Sequence, residues 1–217
     1  MSKHVEQLRT PMKTEASSFV PYLASDLPHL RRTCTPLWHP LGFVSCVIKD
    51  DANEATVRVH YWPKGERRVK NPDWPIHTHT YDLSSFILAG RIRDLQYRVR
   101  SGEALTVYEV SYYCGGSEIV KTDAQLDLDI VVDARRVAGE QYHVPRGIFH
   151  QTHVPVSETA VTLVALTGFG SEAPRVLGAP DQARYPYDRR AFDTQRFWDA
   201  VEQSLLQIPG GTPVREA

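Results

Sequence analysis

The segment Gly139-Glu140-Gln141-Tyr142-His143-Val144-Pro145-Arg146-Gly147-Ile148-Phe149-His150 says more about architecture than any other part of the chain. It reads G-x5-P-x-G-x2-H. Pro145 and Gly147 suit a sharp turn, because proline presets φ and glycine accepts positive φ. That turn delivers His150 to the start of a following strand. About 70 residues earlier lies Ile76-His77-Thr78-His79-Thr80-Tyr81-Asp82-Leu83-Ser84-Ser85-Phe86-Ile87-Leu88-Ala89-Gly90. In an extended strand His77 and His79 project from one face, about 6–7 Å apart at Cα. Imidazoles at that spacing are able to converge on one metal ion, although an H-x-H pair also occurs on ordinary exposed strands.

Outward from these segments, Leu41 to Gly168 has the texture of many short strands. They are expected at Gly42–Ile48, Ala55–Trp62, Ile76–Ala89, Arg91–Arg100, Leu105–Tyr113, Glu118–Lys121, Leu128–Ala134, Glu140–Val144, Phe149–Val154 and Ala160–Thr167. Most are rich in Val, Ile, Tyr, Phe or Thr and are bounded by turn residues. Val57, Val59 and Tyr61 alternate with Arg58, His60 and Trp62, the period of a strand. Cys114-Gly115-Gly116-Ser117 reads as a tight hairpin. With no βαβ alternation, this pattern predicts an antiparallel sandwich or barrel.

Both histidine segments together resemble the cupin superfamily. Its first motif runs G-x5-H-x-H-x(3,4)-E-x6-G and its second G-x5-P-x-G-x2-H-x3-N. The second is matched from Gly139 through Pro145 and Gly147 to His150, and the first in His77, His79 and Gly90. The resemblance covers roughly 41–168. It implies a mainly β fold, a double-stranded β-helix barrel (an antiparallel jelly roll), with one divalent metal held inside by His77, His79 and His150. The departures are specific. Leu83 occupies the carboxylate position, Asn71 the opening glycine and Val154 the closing asparagine. Asp82 is adjacent to the missing carboxylate. A regular strand turns it away from the histidines, and a bulge would swing it in.

Without that carboxylate, the resemblance implies a three-histidine site of the thiol-dioxygenase kind. Fe(II) is then the foremost metal and oxygenase chemistry on a small polar metabolite the foremost reading. Zn, Mn or Ni in a non-redox isomerase, epimerase, lyase or bond-forming enzyme is the alternative. A non-catalytic ligand-binding cupin is the third. Around the mouth, His60, Tyr81, Tyr142, Gln151 and Arg98 are candidates for substrate contact or proton transfer. For each, packing or simple exposure is the bland reading.

The remainder of the chain sets limits. It has 217 residues, 25 Lys+Arg against 26 Asp+Glu, and a formal charge of −1. That balance argues against a nucleic-acid partner. No apolar run approaches a membrane span; the longest, around Ala160–Leu166, contains Thr162. Cys34, Cys46 and Cys114 lack paired spacing, and the N-terminus lacks a signal-like apolar stretch, so a reducing, cytoplasmic setting is expected. Residues 1–38 read as an arm with short helices, Glu15–Leu23 first among them and limited by Pro21. The barrel is expected over 39–170. A C-terminal extension, 171–217, carries a helix at 194–208 with an apolar stripe of Phe197, Val201, Leu205 and Ile208, stopped by Pro209-Gly210-Gly211. Arm and helix are compatible with a homodimer.

Overall fold

A computed structural model describes residues 14–51 and 55–208. The expected helix stop at 209–211 and the first part of the arm lie outside them. Strands β1 (Leu37–Trp38), β2 (Val44–Asp50), β3 (Thr56–Trp62), β4 (Asp82–Tyr113), β5 (Gly116–Val137), β6 (Gln141–Val144), β7 (Phe149–His153), β8 (Ala160–Thr167), β9 (Arg175–Gly178) and β10 (Arg184–Asp188) pair antiparallel throughout. The path runs β1-β2-β3-β8-β4-β5-β10, with β6, β7 and β9 also on β4.

β4 organises this arrangement by belonging to two sheets. Its first part, to Gly90, pairs with β8 and β6; from Arg91 onward it pairs with β5, β7 and β9. The change of sheet occurs at Gly90, whose φ is +78. A Cβ there would run into the Thr159 carbonyl, so both backbone conformation and close approach demand glycine. A register shift between Ile87 and Ala89 adds to the bend.

Two expected strand boundaries move. Arg91–Arg100 and Leu105–Tyr113 are one strand: residues 101–104 bulge out of the pairing with β5, which resumes at Leu105. Conversely, Ile76–Ala89 is not one strand. Ile76–Thr78 forms isolated bridges to β7 and β9, the chain turns, and β4 starts at Asp82. The Cys114-Gly115 hairpin forms as expected, Tyr113 facing Gly116.

Helices cover one outer face of the first sheet. Residues Ala16–Phe19 form a 3-10 turn, followed by α1 (Val20–Ser25) and α2 (Leu27–Thr33). Pro21 therefore begins a helix instead of limiting one; in the first turn its missing N–H costs nothing. Pro28 does the same for α2. The C-terminal α3 (Thr194–Leu206) is capped by Asp193, whose side chain accepts the Arg196 N–H at 2.8 Å. Its buried face is Phe197, Trp198, Val201 and Ser204, while Leu205 and Ile208 are half-buried. These helices pack on Val44, Cys46, Val57, Val59 and Leu163. Consequently both faces of β3 are covered: Val57, Val59 and Tyr61 lie under helices, and Arg58, His60 and Trp62 turn to the barrel interior. Among the described residues no helix is long and apolar enough to cross a membrane.

Candidate metal centre

Three segments bring the histidines together. His77 and His150 exchange backbone hydrogen bonds, His77 N–H to His150 O at 3.0 Å and His150 N–H to His77 O at 2.9 Å. This bridge docks the Ile76–Thr78 segment on β7. Thr78 N–H also donates to Arg175 O on β9 at 2.8 Å, holding the segment from its other side. His79 lies just beyond, anchored through its carbonyl by Gly147 N–H at 3.0 Å. Gly147, with φ +77, occupies the third position of the turn closed by Ile148 N–H to Pro145 O at 3.2 Å, where a type II turn requires positive φ. The Pro145-Gly147 motif thus positions His79 as well as His150. Gly139 N–H donates to Ile87 O at 2.9 Å at the turn leading into β6.

One ligand-capable nitrogen from each of His77, His79 and His150 lies within 4.8 Å of the others. The His79 and His150 Nε2 atoms face each other at 2.8 Å. His77 Nδ1–H donates to the Pro75 carbonyl at 2.8 Å, leaving Nε2 as its lone-pair nitrogen. Burial lowers the His77 pKa to about 4. Burial, reinforced by the neighbouring histidines, holds His79 and His150 well below the ordinary value. All three rings are neutral at physiological pH, the form that binds metals. His150 Nδ1 is buried without a partner, and the backbone bridge to His77 fixes where that residue sits. Three neutral nitrogen donors grouped without a carboxylate fit a divalent ion of the Fe, Zn, Mn or Ni class.

That arrangement, inside an antiparallel barrel whose two motif segments converge on it, decides the architecture. It is a mainly antiparallel β fold holding a three-histidine cluster, as the resemblance of its two motifs to those of cupins implies. No family model and no curated protein sequence matches the chain. Similar solved structures include an RmlC-like cupin from Shewanella frigidimarina, 12% identical over 61% of this chain and 82% of its own, TM-score 0.35. A DMSP lyase from Ruegeria pomeroyi is 17% identical over 61% of this chain and 50% of its own, TM-score 0.36. A hydroxypropylphosphonic acid epoxidase from S. wedmorenis is 13% identical over 64% and 56%, TM-score 0.37. The chain spans only about half the length of the lyase and the epoxidase.

All three histidines border one cavity, and His77 and His79 also border a second that shares part of its lining. The inner one, about 60 Å³, is bounded by His60, Tyr81, Leu83, Tyr142 and Leu166. The outer one, about 170 Å³, reaches Lys70, Trp74, Tyr112 and Arg189. His39, Leu41, Arg58, His77, His79 and Tyr81 line both. His60, Tyr81 and Tyr142 therefore stand where substrate contact is possible. Tyr81 stacks on the His79 ring at 4.7 Å, and Tyr142 Oη lies 3.2 Å from Thr152 Oγ1. Burial pushes both phenols up, and burial lowers His60 to about 3.

Three sequence candidates lie elsewhere. Asp82 Oδ1 accepts the Arg146 N–H at 2.9 Å; the carboxylate braces the Pro145-Gly147 turn and does not line the histidine cavities. Gln151 neighbours His150 on β7 and so faces the other way, where its Oε1 accepts from Tyr97 Oη at 3.4 Å. Arg98 is exposed on the β4–β5 ribbon and pairs with Asp129 at 3.2 Å.

Sequence reasoning missed Arg58, Lys70, Arg189 and His39. Arg58 was within reach of it, since it shares strand parity with His60. His39, stacked on Phe43 at 4.3 Å, and Lys70 and Arg189 come from irregular segments that give no periodic signal.

Proposed function

We propose that the chain is a metal-dependent enzyme acting on a small polar metabolite, with Fe(II) oxygenase chemistry at a three-histidine centre as the leading reading. The observation that carries it is the grouping of three neutral imidazoles, without a carboxylate, at the junction of two cavities. When bound, a divalent iron ion would supply open coordination positions where substrate and O₂ meet. The remaining work falls to this chain's own side chains. Leu83, Val164 and Leu166 form an apolar floor that keeps bulk water from the inner cavity. Tyr81, protonated at neutral pH, offers its Oη–H to a substrate oxygen beside His79. His60, neutral in its buried position, is an acceptor at the inner wall.

The absence of a carboxylate from the donor set favours one second reading. Three neutral histidines also suit Zn or Ni, which would polarise a carbonyl without redox chemistry. Metal analysis of protein purified without chelator, followed by O₂ uptake against thiols, catechols and amino acids, separates the two. Iron occupancy with substrate-dependent O₂ uptake is expected. A zinc form that turns over a bound substrate, with no O₂ uptake by the iron form, overturns the oxygenase reading.

A further inference from the structure

Several arginines outside the cavity find carboxylates. Arg31 pairs with Asp199 and Glu202, Arg91 with Glu158, Arg93 with Asp133, Arg100 with Asp129, and Arg184 with Glu118. The cavity offers its cations no such partner. Its lining includes Arg58, Lys70 and Arg189, and among the described residues no Asp or Glu lines either compartment. Among the described residues none of the three makes an ion pair with a carboxylate. Arg58 is the most telling. It borders both compartments, and its Nε is buried without a hydrogen-bond partner. A buried guanidinium nitrogen without an acceptor is costly to leave unsatisfied. Lys70 lies with its Nζ 5.9 Å from the centre of the Tyr185 ring, and its burial lowers it to about 8, so it remains largely cationic at neutral pH. Three unpaired cations lining one small cavity focus positive potential there.

We propose that the substrate is a small organic anion whose carboxylate or phosphoryl oxygens bind Arg58, with Lys70 and Arg189 completing the oxyanion pocket. Arginine presents parallel N–H donors that match such oxygens. Trp74, Val110 and Ile119 give the outer cavity an apolar wall, which suits a short hydrocarbon body behind the anionic group. The substrate would reach from Arg58 to the histidines, since the same cavity holds both. This assignment rests on the metalloenzyme reading for its substrate role. The charge argument itself needs no metal, although an ion held by neutral imidazoles would add to it.

The test is calorimetric titration of the purified chain, metal content measured on the same sample, with benzoate against benzamide and with inorganic phosphate. Benzoate should bind at least about tenfold more tightly than benzamide, in chelator-treated and metal-loaded protein alike. Phosphate competing with benzoate marks a phosphoryl-bearing substrate class; phosphate failing to compete restricts the class to carboxylates. Arg58→Met should erase the preference while leaving metal content and the unfolding midpoint near those of the parent. Arg58→Lys should restore part of it, which a purely structural arginine would not require. Equal binding of benzoate and benzamide, no binding of either anion, or a preference that survives Arg58→Met overturns the proposal. Anion preference in protein that holds no metal under any loading would instead overturn the metalloenzyme reading and leave the anion pocket standing.

Discussion

The carboxylate of Asp82 accepts the backbone N–H of Arg146 at 2.9 Å, tying the start of β4 to the turn that presents His150. One bond thereby joins the two motif segments. It also explains how an acidic residue sits next to the vacant carboxylate position of the first motif without joining the histidines. Asp82→Asn retains an acceptor oxygen and should leave metal stoichiometry unchanged. Asp82→Ala should cost about 0.5–1.5 kcal/mol, the net worth of one hydrogen bond whose exposed N–H can turn to water. Chemical denaturation with metal analysis checks both, and metal lost from Asp82→Asn would identify Asp82 as a ligand.

Removal of His150 tests the centre from the other side. His150→Ala should reduce metal affinity by more than the roughly 10–100-fold that loss of an outer hydrogen-bond partner costs. The barrel should stay folded, since its core is apolar and extensive. Competition against a chromogenic chelator gives the affinity and circular dichroism gives the fold. Parent-like affinity would remove His150 from the site.

His60 predicts a pH signature. Its native pKa is about 3 against an ordinary value of 6.5, with burial the main cause and Arg58 adding to it. Between those values the unfolded chain binds a proton that the native chain refuses. Stability is therefore full above pH 6.5 and falls as the pH drops toward 3, by about 1.4 kcal/mol per pH unit for one such group. His60→Asn should flatten the urea-unfolding profile in that window. An unaltered slope would show that His60 is readily protonated in the native state.

Trp198 is fully buried where α3 meets the first sheet. Truncation to alanine should destabilise by about 3–5 kcal/mol, while Leu206→Ala, at 61% exposure, should be nearly neutral. Thermal unfolding of the two variants compares them directly; equal effects would contradict the docking of α3.

The barrel and its three histidines were legible because the signals were local. Pro145 and Gly147 set a turn, and His77 and His79 share a short extended segment. The cationic lining was not. Period two in β3 separates Val57 and Val59 from Arg58 and His60, but it does not say which face meets solvent, and here neither does. Helices α1 to α3 cover one face and the cavity takes the other. The length of β4 was hidden as well, because Ser101-Gly102 looks like a turn, yet the strand runs through it and its pairing with β5, broken over 101–104, resumes at Leu105. Arg98 failed as a candidate because composition cannot distinguish an arginine facing a cavity from one facing Asp129.

His77, His79 and His150 are proposed to hold one ion together. X-ray absorption at the metal edge of stoichiometrically loaded protein tests it most directly. Three imidazole ligands per ion at about 2.0–2.2 Å are expected, with the multiple-scattering signature of histidine and the remaining positions filled by light-atom donors. A spectrum with fewer than two imidazoles, or with sulfur in the first shell, would contradict it.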